Sequence, residues 1–335
     1  MKNKYILITG GCGYIGSHTV LELLKKKRRI VVVDNLSNST QQNIKNIEKF
    51  FKTKINFHKV DLRNERKLYT IFKRYKNIDS VIHFAGLKSV NESTKNPIDY
   101  YENNISGTIT LLNVMKKFKC YKIVFSSSAT VYSDSQNPPY SESSLLGYKN
   151  PYGFTKLFIE KILENLKNSN DHWKICILRY FNPVGANPQG IIGEEAIKPS
   201  NLFPVISSVI SSKKKKQSIF GNNYPSKDGT PIRDYVHVED LARGHINALS
   251  HLKKSSFSIF NLGTGKGYTV LEVIQMFEKL IARKIPIRIT KRREGDVAAS
   301  YADCNLAKKV LGWKPRKNLF DMCNDTLRWN KQYSD

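Results

Sequence analysis

The sequence has 335 residues, of which 40% are hydrophobic, and a formal net charge of +27 at pH 7. This length allows two domains or one large α/β unit with an appended lobe, and the absence of any apolar run of about 18 residues predicts no membrane association. The lysine-rich runs at residues 25–29 and 213–216 are not interleaved with aromatic residues. We therefore expect a solvated basic surface and no nucleic-acid partner.

The cysteines are scattered along the chain, without any C-x-x-C pair. They are Cys12, Cys120, Cys176, Cys304 and Cys323. This pattern argues against a zinc site and a disulfide framework, so we expect no metal and a cytoplasmic protein. The apolar stretch at residues 5–9 is too short for a signal peptide.

Short β-branched runs alternate with helix-length segments. Runs that are apolar on both faces, as buried parallel strands require, occupy residues 6–8, 30–33, 81–84, 123–125, 175–180 and 258–262. Helices are predicted over residues 17–27, 105–118 and 154–166. The alternation predicts an α/β fold with a doubly wound parallel sheet of the Rossmann type.

The character of the chain changes after residue 181, because prolines and glycines become frequent. This pattern predicts a loop-rich lobe that closes over the carboxyl edge of the sheet. We therefore expect a dinucleotide-binding domain over residues 1–181 and a smaller substrate-binding lobe over 182–335. The strand at residues 258–262 suggests that the chain returns to the first domain around residues 236–263.

A glycine-rich turn, TGGCGYIG at residues 9–16, follows the first strand, and a helix is expected from Ser17. In such a turn, Gly10 allows the tight bend, Gly13 a close approach to pyrophosphate, and Gly16 close packing of helix on strand. Backbone N–H groups at the helix N-terminus then face an anion. The motif predicts a dinucleotide site.

Acidic residues end the next two strands. Asp34, eighteen residues beyond Gly16, can accept hydrogen bonds from a ribose diol and would repel a 2′-phosphate, which favours NAD over NADP. A strand-ending aspartate is also a common turn residue. Asp61 and Leu62 are placed to reach the adenine, and residues 84–86 to line the pyrophosphate and ribose.

Tyr152 and Lys156 lie four positions apart, so both share one helix face. A neighbouring ammonium favours the phenolate and lowers the pKa of the tyrosine, which makes the pair a base for a hydroxyl proton. Ser128, at the end of the fifth strand, could hydrogen-bond the same substrate oxygen. Its alternative role is a turn that caps the strand.

Taken together, these motifs resemble the extended short-chain dehydrogenase/reductases and, more narrowly, the UDP-glucose 4-epimerase family. The resemblance covers nearly the whole chain. Its marks are TGGCGYIGSH at residues 9–18, HFAGLK at 83–88, SSSATVY at 126–132, LRYFNPVG at 178–185, IFGN at 219–222, RDYVHV at 233–238, NLG at 261–263 and RREGD at 292–296.

The resemblance implies a redox-neutral isomerase that epimerises carbon 4 of UDP-glucose and UDP-galactose on a tightly held NAD. Tyr152 would take the proton of the 4-hydroxyl as hydride leaves carbon 4. Lys156 would lower the pKa of the tyrosine and hold the nicotinamide ribose, and Ser128 would hydrogen-bond the reacting oxygen. The resulting 4-keto sugar would turn over and take the hydride back on its other face.

The resemblance also assigns the remaining site residues. Those expected to bind NAD are Gly10, Gly13, Tyr14, Ile15, Gly16, Asp34, Asn35, Asp61, Leu62, Phe84, Ala85, Gly86, Lys88, Asn103, Tyr152, Lys156 and Tyr180. Those expected to bind the UDP-sugar are Ser128, Asn182, Asn201, Leu202, Phe220, Arg233, Arg293, Asp296 and Ser300. The two arginines suit a diphosphate, although Arg233 and Asp234 could instead form a structural ion pair.

Two finer expectations follow from the resemblance. Ser300 occupies the position beside carbon 2 of the sugar, where a small residue admits N-acetyl groups, so we expect activity on UDP-N-acetylglucosamine and UDP-N-acetylgalactosamine. In the family, the helices predicted at residues 105–118 and 154–166 pair across a two-fold axis, which implies a homodimer. The apolar stripe of the second helix, Ile159, Ile162, Leu163 and Leu166, could equally be buried core.

Other functions remain as alternatives. A dehydratase needs an acid/base pair directly after Ser128, where Ala129 and Thr130 stand, so elimination chemistry is disfavoured. A uronic-acid epimerase and a decarboxylase remain possible on the same fold. A non-catalytic dinucleotide or nucleic-acid binding protein would be expected to lose the Tyr152/Lys156 pair, which this sequence keeps.

Overall fold

The computed structural model describes residues 4–195, 199–293 and 295–331. The strands are β1 (Tyr5–Thr9), β2 (Arg29–Asp34), β3 (Asn56–Lys59), β4 (Ile78–His83), β5 (Lys122–Ser128), β6 (Lys174–Tyr180), β7 (Asn182–Val184), β8 (Gln217–Phe220), β9 (Ile232–His237), β10 (Phe257–Leu262), β11 (Gly267–Thr269), β12 (Ile287–Thr290) and β13 (Ala299–Ser300). The α-helices are α1 (Tyr14–Lys25), α2 (Gln42–Phe51), α3 (Glu65–Arg74), α4 (Val90–Lys95), α5 (Pro97–Tyr100), α6 (Gly107–Lys117), α7 (Pro151–Ser169), α8 (Leu202–Ile210), α9 (Val238–His251), α10 (Val270–Ile281) and α11 (Leu319–Lys331).

Seven strands form one parallel sheet in the order β3-β2-β1-β4-β5-β6-β10. In its centre Ile8 is aligned with Val32 on one side and with Ile82 on the other. The direction of winding reverses between β1 and β4, and ligands of such sheets bind outside the carboxyl ends of the strands at this switch point. The predicted α/β fold with a doubly wound parallel sheet is confirmed.

The core explains why the strands are apolar on both faces. Ile6 and Ile8 of β1 pack with residues of α1 and α9 on one face of the sheet, whereas Leu7 packs with residues of α3, α6 and α7 on the other. All three side chains are buried. Because the large sheet is buried on both faces, it is rigid and holds the residues at the carboxyl ends of its strands in place.

The helix boundaries differ from the predicted ones at three places. The first helix begins at Tyr14 instead of residue 17, with Gly13 as its N-cap, and ends at Lys25. The helix predicted over residues 105–118 consists of a π-helical turn, Tyr101–Ser106, followed by α6. The third begins at Pro151 because Asn150 accepts a hydrogen bond from Gly153 N at 2.9 Å and proline suits the first helical position.

The second part of the chain builds a smaller sheet around β9, which pairs with β7, β11 and β13. Helices α8, α10 and α11 share a separate apolar cluster beside it, which includes Phe203, Phe277 and Met322. Strand β10 nevertheless lies in the large sheet, next to β6. The boundary at residues 181/182 stays a prediction.

Within the described ranges, no helix is both long and apolar enough to cross a membrane.

Candidate active site

The glycine-rich turn between β1 and α1 lies against the segment that follows β4. Gly10 has a φ of +68°, and a Cβ at this position would lie 2.6 Å from Ala85 N. A Cβ on Gly16 would lie 2.2 Å from Gly10 O, so helix and turn approach too closely for any side chain. The N-cap, Gly13, has no side chain to cover the first turn of α1, in which Tyr14 and Ile15 lie. This cradle fits the pyrophosphate of a dinucleotide.

Asp34 joins the end of β2 to this turn. Its carboxylate is buried and accepts hydrogen bonds from Cys12 N at 3.0 Å, Leu36 N at 2.9 Å and Ser39 Oγ at 3.0 Å. Asp34 therefore stabilises the turn after β2, which is the alternative role that a strand-ending aspartate can have. It sits beside the glycine turn, where a ribose attached to the pyrophosphate would lie.

A second carboxylate, Asp61, lies next to this position. Asn35 Nδ2 donates to Asp61 Oδ2 at 3.2 Å, and the bonded Arg63 guanidinium lowers the pKa of Asp61 to about 2. Leu62 is buried beside it. The structure thus brings the predicted adenosine-binding residues of β2 and β3 together at one edge.

A buried asparagine that the sequence reasoning missed connects the loop after β4 to α7. Asn104 Nδ2 donates to Leu87 O and to Thr155 Oγ1, both at 3.1 Å, and its Oδ1 accepts from Leu87 N at 2.8 Å. Its neighbour Asn103, the predicted cofactor ligand, donates to the same Oδ1 at 2.9 Å. The Asn-Asn pair at residues 103–104 was the available signal in the sequence, and the structure joins the two side chains by this hydrogen bond. A Cβ on Gly86 would lie 3.2 Å from Asn104 Oδ1, so this loop is packed closely against it.

The predicted reacting residues converge where β5 ends. Tyr152 is the second residue of α7 and its hydroxyl lies close enough to Ser128, the last residue of β5, for the serine to lower the pKa of the phenol. Ser128 also accepts from Thr130 N at 3.2 Å, so it caps the following turn as well. Lys156 Nζ donates to Ser126 O at 2.8 Å and lies 5.9 Å from the centroid of the Tyr152 ring.

Tyr180 completes this group, since it ends β6 in register with Ser128. Burial raises its pKa above the ordinary range, and a hydrogen bond with Ser126 acts in the opposite direction. Phe84, the residue directly after β4, is linked to the same region by His245, whose ring centroid lies 4.5 Å from that of Phe84 and 5.8 Å from that of Tyr180. The carboxyl ends of β4, β5 and β6 thus form one continuous surface.

Burial shifts the two titratable groups of the pair toward their neutral forms. It raises the pKa of Tyr152 to about 12, with the Ser128 hydrogen bond acting in the opposite direction. It lowers the pKa of Lys156 to about 8, and the charge of Glu160 opposes this shift. The shift of the Tyr152 pKa is the reverse of the one predicted from its lysine neighbour, because desolvation of the phenol is the largest effect. At pH 7 the phenol is protonated and the lysine is charged.

Arginines cluster on the lobe that faces this edge. Arg233 of β9 forms an ion pair with Asp296, and the guanidinium carbon of Arg293 lies 3.8 Å from the centroid of the Phe220 ring. Arg292, which the sequence reasoning did not assign, stacks 3.9 Å from the centroid of the Tyr224 ring. Among the residues that the structure describes, this cluster has more guanidinium groups than carboxylates and can hold a diphosphate.

The alternative of an Arg233–Asp234 ion pair is wrong. The Asp234 carboxylate is buried and accepts backbone hydrogen bonds from Thr264 N at 2.7 Å, Gly265 N at 3.0 Å and Ala302 N at 3.2 Å. Consecutive residues of a strand point to opposite faces, so Asp234 turns inward and Arg233 outward.

The remaining predicted substrate residues surround β9. Ser300 of β13 is aligned with Arg233, and Asn182 of β7 is exposed and aligned with Tyr235. Asn201 is the N-cap of α8 and is exposed, and Leu202 is the first residue of that helix. The short strands around β9 therefore bring Ser300 and Arg233 side by side.

A segment that the sequence reasoning did not single out, residues 185–195, lies against α1 and α2. Tyr14 donates to Gly185 O at 2.5 Å, Asn43 Nδ2 to Gly193 O at 3.0 Å and Asn46 Nδ2 to Ile191 O at 3.1 Å. The spacing of Asn43 and Asn46 in α2 carries no signal that would have revealed these contacts.

The same segment supplies two carboxylates. Lys88, a predicted cofactor ligand, pairs with Glu194 at 3.2 Å, and Thr40 donates to Glu195. The segment thus connects the lobe to both sides of the glycine turn.

Comparison with known proteins places these observations in a family. A family model described as GDP-mannose 4,6 dehydratase matches residues 7–326. The UDP-glucose 4-epimerase of Dictyostelium discoideum is 52% identical over 327 residues, which cover 97% of this chain and 95% of that protein.

Two solved structures are similar over nearly their whole length. The UDP-glucose-4-epimerase of Stenotrophomonas maltophila, with bound NAD and formylated UDP-arabinopyranose, has a TM-score of 0.95 at 44% identity and covers 99% of each chain. The UDP-glucose 4-epimerase of Bifidobacterium longum, in complex with NAD+ and UDP, has a TM-score of 0.94 at 44% identity and covers 98% of each chain.

Proposed function

The chain belongs to the UDP-glucose 4-epimerase family, within the broader family described as GDP-mannose 4,6 dehydratase, and we propose residue by residue how it performs this reaction. It is an NAD-dependent isomerase that interconverts UDP-glucose and UDP-galactose at carbon 4. The observation that carries the assignment of roles is the convergence of Ser128, Tyr152 and Lys156 at the carboxyl end of β5, on the same edge of the sheet as the glycine turn and separated from it by β4.

In this assignment Tyr152 takes the proton of the 4-hydroxyl and later returns it. Ser128 holds the reacting oxygen through its hydroxyl, and Lys156 provides the positive charge that makes the phenolate accessible. NAD, when bound, would supply the acceptor and donor of hydride. Because burial raises the pKa of Tyr152 to about 12 despite the opposing effect of Ser128, the positive charge of Lys156 is needed before the tyrosine can act as a base near neutral pH.

The cofactor and the nucleotide are held by different means. The glycine turn and Asp34 bind NAD, with the segment 185–195 fixing α1 and α2. Arg233 and Arg293 bind the diphosphate of UDP through paired N–H groups. Firm binding of the remote nucleotide leaves the hexose free to turn between the two hydride-transfer steps.

The direct test replaces the proposed base. Tyr152→Phe removes only the hydroxyl, so we expect a loss of turnover of about 10²- to 10⁴-fold with NAD still bound. Tyr148→Phe is the matched control, because Tyr148 precedes the same helix and is 55% exposed. Unchanged turnover in Tyr152→Phe would contradict the assignment of the base.

Ser300 extends the substrate range in this proposal. Its small side chain is aligned with Arg233, so a substituent on carbon 2 of the sugar meets little bulk there. The wild-type protein then also interconverts UDP-N-acetylglucosamine and UDP-N-acetylgalactosamine. Ser300→Tyr should abolish turnover of the acetylated sugars and keep that of UDP-galactose. No turnover of acetylated sugars by the wild type would rule this out.

The proposed assembly is a homodimer, but the predicted apolar stripe does not support it. Ile159 and Leu163 are buried in the core, and Ile162 and Leu166 pack against it. Other apolar residues of the same two helical segments are exposed: Tyr101 by 36%, Ile109 by 42% and Phe158 by 42%. These side chains would be covered by a second copy of the chain. Sedimentation of the wild type as a dimer and of Phe158→Lys as a monomer would support this, and a monomeric wild type would contradict it.

The five cysteines are free. This supports the proposal of a cytoplasmic protein, where thiols stay reduced.

A further inference from the structure

A second contact between β5 and α7 lies directly behind the proposed reacting groups. Lys156 Nζ donates to Ser126 O at 2.8 Å, and one turn further along the helix Glu160 accepts a hydrogen bond from the Ser127 hydroxyl. Lys156 and Glu160 occupy the same face of α7, four positions apart. Two of the last three residues of β5, Ser126 and Ser127, are therefore hydrogen-bonded to the helix that carries the proposed base.

Glu160 also forms a buried ion pair with Arg179 of β6. Arg179 Nε lies 3.1 Å and 3.2 Å from the two carboxylate oxygens, and a terminal nitrogen lies 2.6 Å from Oε2. The exposed fractions are 3% for Glu160 and 1% for Arg179. A buried pair of this kind adds little net stability compared with apolar side chains of the same size, so its presence requires another reason.

The other side of Arg179 leads toward the lobe. The guanidinium donates to Tyr132 OH at 3.3 Å and to Glu142 O at 3.1 Å. Tyr132 donates to Asn261 Oδ1 at 2.6 Å, and Asn261 Nδ2 donates to Tyr140 O at 2.8 Å.

The network ends next to the sugar-facing strand. Tyr140 N donates to Tyr301 O at 2.9 Å, and Tyr301 follows Ser300 of β13. A continuous set of buried hydrogen bonds thus runs from α7 through Arg179 to the strand proposed to lie beside the hexose.

We propose that Glu160 and Arg179 are positioning residues for the epimerase reaction: Glu160 holds the end of β5 against the helix α7 that carries Tyr152 and Lys156, and Arg179 fixes β13 relative to both. This inference rests on the proposed function, since it acts through Lys156 and Ser128. Neither residue touches the sugar or the cofactor in this role.

The surroundings of Lys156 single out Glu160 as the source of negative charge. From β5, the Phe125 ring centroid lies 4.9 Å from Lys156 Nζ; from α7, the protonated Tyr152 faces it. From β4, His83 is neutral at pH 7, because burial and the lysine charge lower its pKa to about 3. Among the described residues, Glu160 is the charge that opposes the effect of burial on Lys156.

The first test is Glu160→Gln, which keeps the size of the side chain and removes its charge. We expect kcat for UDP-galactose to fall about 100-fold, as small displacements of reacting groups do, while the NAD content and the KM stay within about twofold. The alkaline limb of the kcat profile should move to lower pH, because Lys156 loses its proton more easily without the neighbouring negative charge. A wild-type kcat and an unmoved alkaline limb would overturn the proposal.

A second variant separates positioning from stability, since removing one partner leaves a buried charge. The double variant Glu160→Met/Arg179→Met removes both charges and fills the space, and such replacements keep a fold stable. We expect it to fold with bound NAD and to stay as impaired in kcat as Glu160→Gln. Recovery of the wild-type kcat and pH profile would show that the pair only supports packing, and would overturn the proposal.

Ser127→Ala provides the mildest variant, because it removes only the hydroxyl that bonds Glu160. The midpoint of its denaturant unfolding should stay close to that of the wild type. Its kcat should fall by about threefold to tenfold. A wild-type kcat in this variant would contradict the proposal that Glu160 positions the end of β5. If the wild-type protein itself did not epimerise UDP-galactose, the proposed function would fail; an active wild type with unaffected variants rejects only this inference.

Discussion

The proposed cofactor end and the proposed diphosphate end of the site consist of different kinds of chemical group. The proposed cofactor end consists of backbone and short buried groups at the ends of parallel strands, such as Gly10, Gly16 and Asp34. The proposed diphosphate end consists of long guanidinium side chains, such as Arg233 and Arg293, on a short strand and a loop of the lobe. Backbone in a packed sheet cannot adjust to a change, whereas a long side chain can be shortened without disturbing its surroundings. Changes at the first end should therefore affect the cofactor, and changes at the second should affect substrate affinity alone.

The largest effect is expected at the glycine turn. Gly16→Val would place its side chain against Gly10 O, which lies 2.2 Å from the position of a Cβ. We expect purified protein without NAD and without detectable epimerase activity. Gly107→Ala is the matched control, because its Cβ would lie 3.5 Å from Leu62 Cβ, an ordinary contact, and its φ of −60° suits any residue. If Gly16→Val kept NAD at the wild-type level, the glycine turn could adjust to a side chain, and the proposed rigidity of the cofactor end would be wrong.

An intermediate effect is expected at the diphosphate end. Arg233→Ala removes a charged hydrogen-bond donor and frees Asp296, so KM for UDP-galactose should rise by about tenfold to 100-fold. The NAD content and the unfolding midpoint should stay near those of the wild type. Steady-state kinetics and the absorbance of released NAD measure both. Loss of NAD in this variant would remove the distinction between the two ends.

The smallest effect is expected in the pH dependence of kcat and KM, which should differ from each other. Burial lowers the pKa of Lys156 to about 8, so the lysine loses its charge above that pH, whereas the arginines stay charged. We expect kcat to fall as the pH rises above about 8, while KM changes little. A KM that rises in parallel with the fall in kcat would contradict this assignment.

The same shift affects stability in the opposite direction. The unfolded chain binds more protons than the folded one between about pH 8 and the ordinary lysine pKa of 10.5, so Lys156 makes the free energy of unfolding rise with pH in this window. The rise is at most about 3 kcal/mol. Urea unfolding at pH 7.5 and 9.5 should show a larger increase for the wild type than for Lys156→Met. Equal increases would mean that Lys156 keeps its ordinary pKa in the folded protein.

The sequence predicted the frame of the large sheet better than the contacts between its parts. Apolar runs such as residues 30–33 are long enough to define buried strands, and the glycine spacing identified the turn after β1. The start of α7 was misplaced because Asn150 and Pro151 were not recognised as a cap and a first helical residue. The direction of the pKa shift of Tyr152 was wrong because the burial of a side chain is a property of the folded chain.

Contacts across long sequence separations could not be predicted from spacing. Asn104 bonds a threonine 51 positions away, and Glu160 bonds Ser127 33 positions away. The partner of Arg233 is Asp296, 63 positions along the chain, and not the adjacent Asp234. Only the arrangement of β9 and its neighbours shows which of these charged groups face one another.

The most direct test of the account is incubation of the purified protein with UDP-galactose, without added reductant, followed by chromatographic detection of UDP-glucose. The account predicts that UDP-glucose accumulates to an equilibrium ratio and that Tyr152→Phe abolishes this conversion while NAD remains bound. Absence of UDP-glucose in the presence of bound NAD would contradict it, as would conversion by Tyr152→Phe at the wild-type rate.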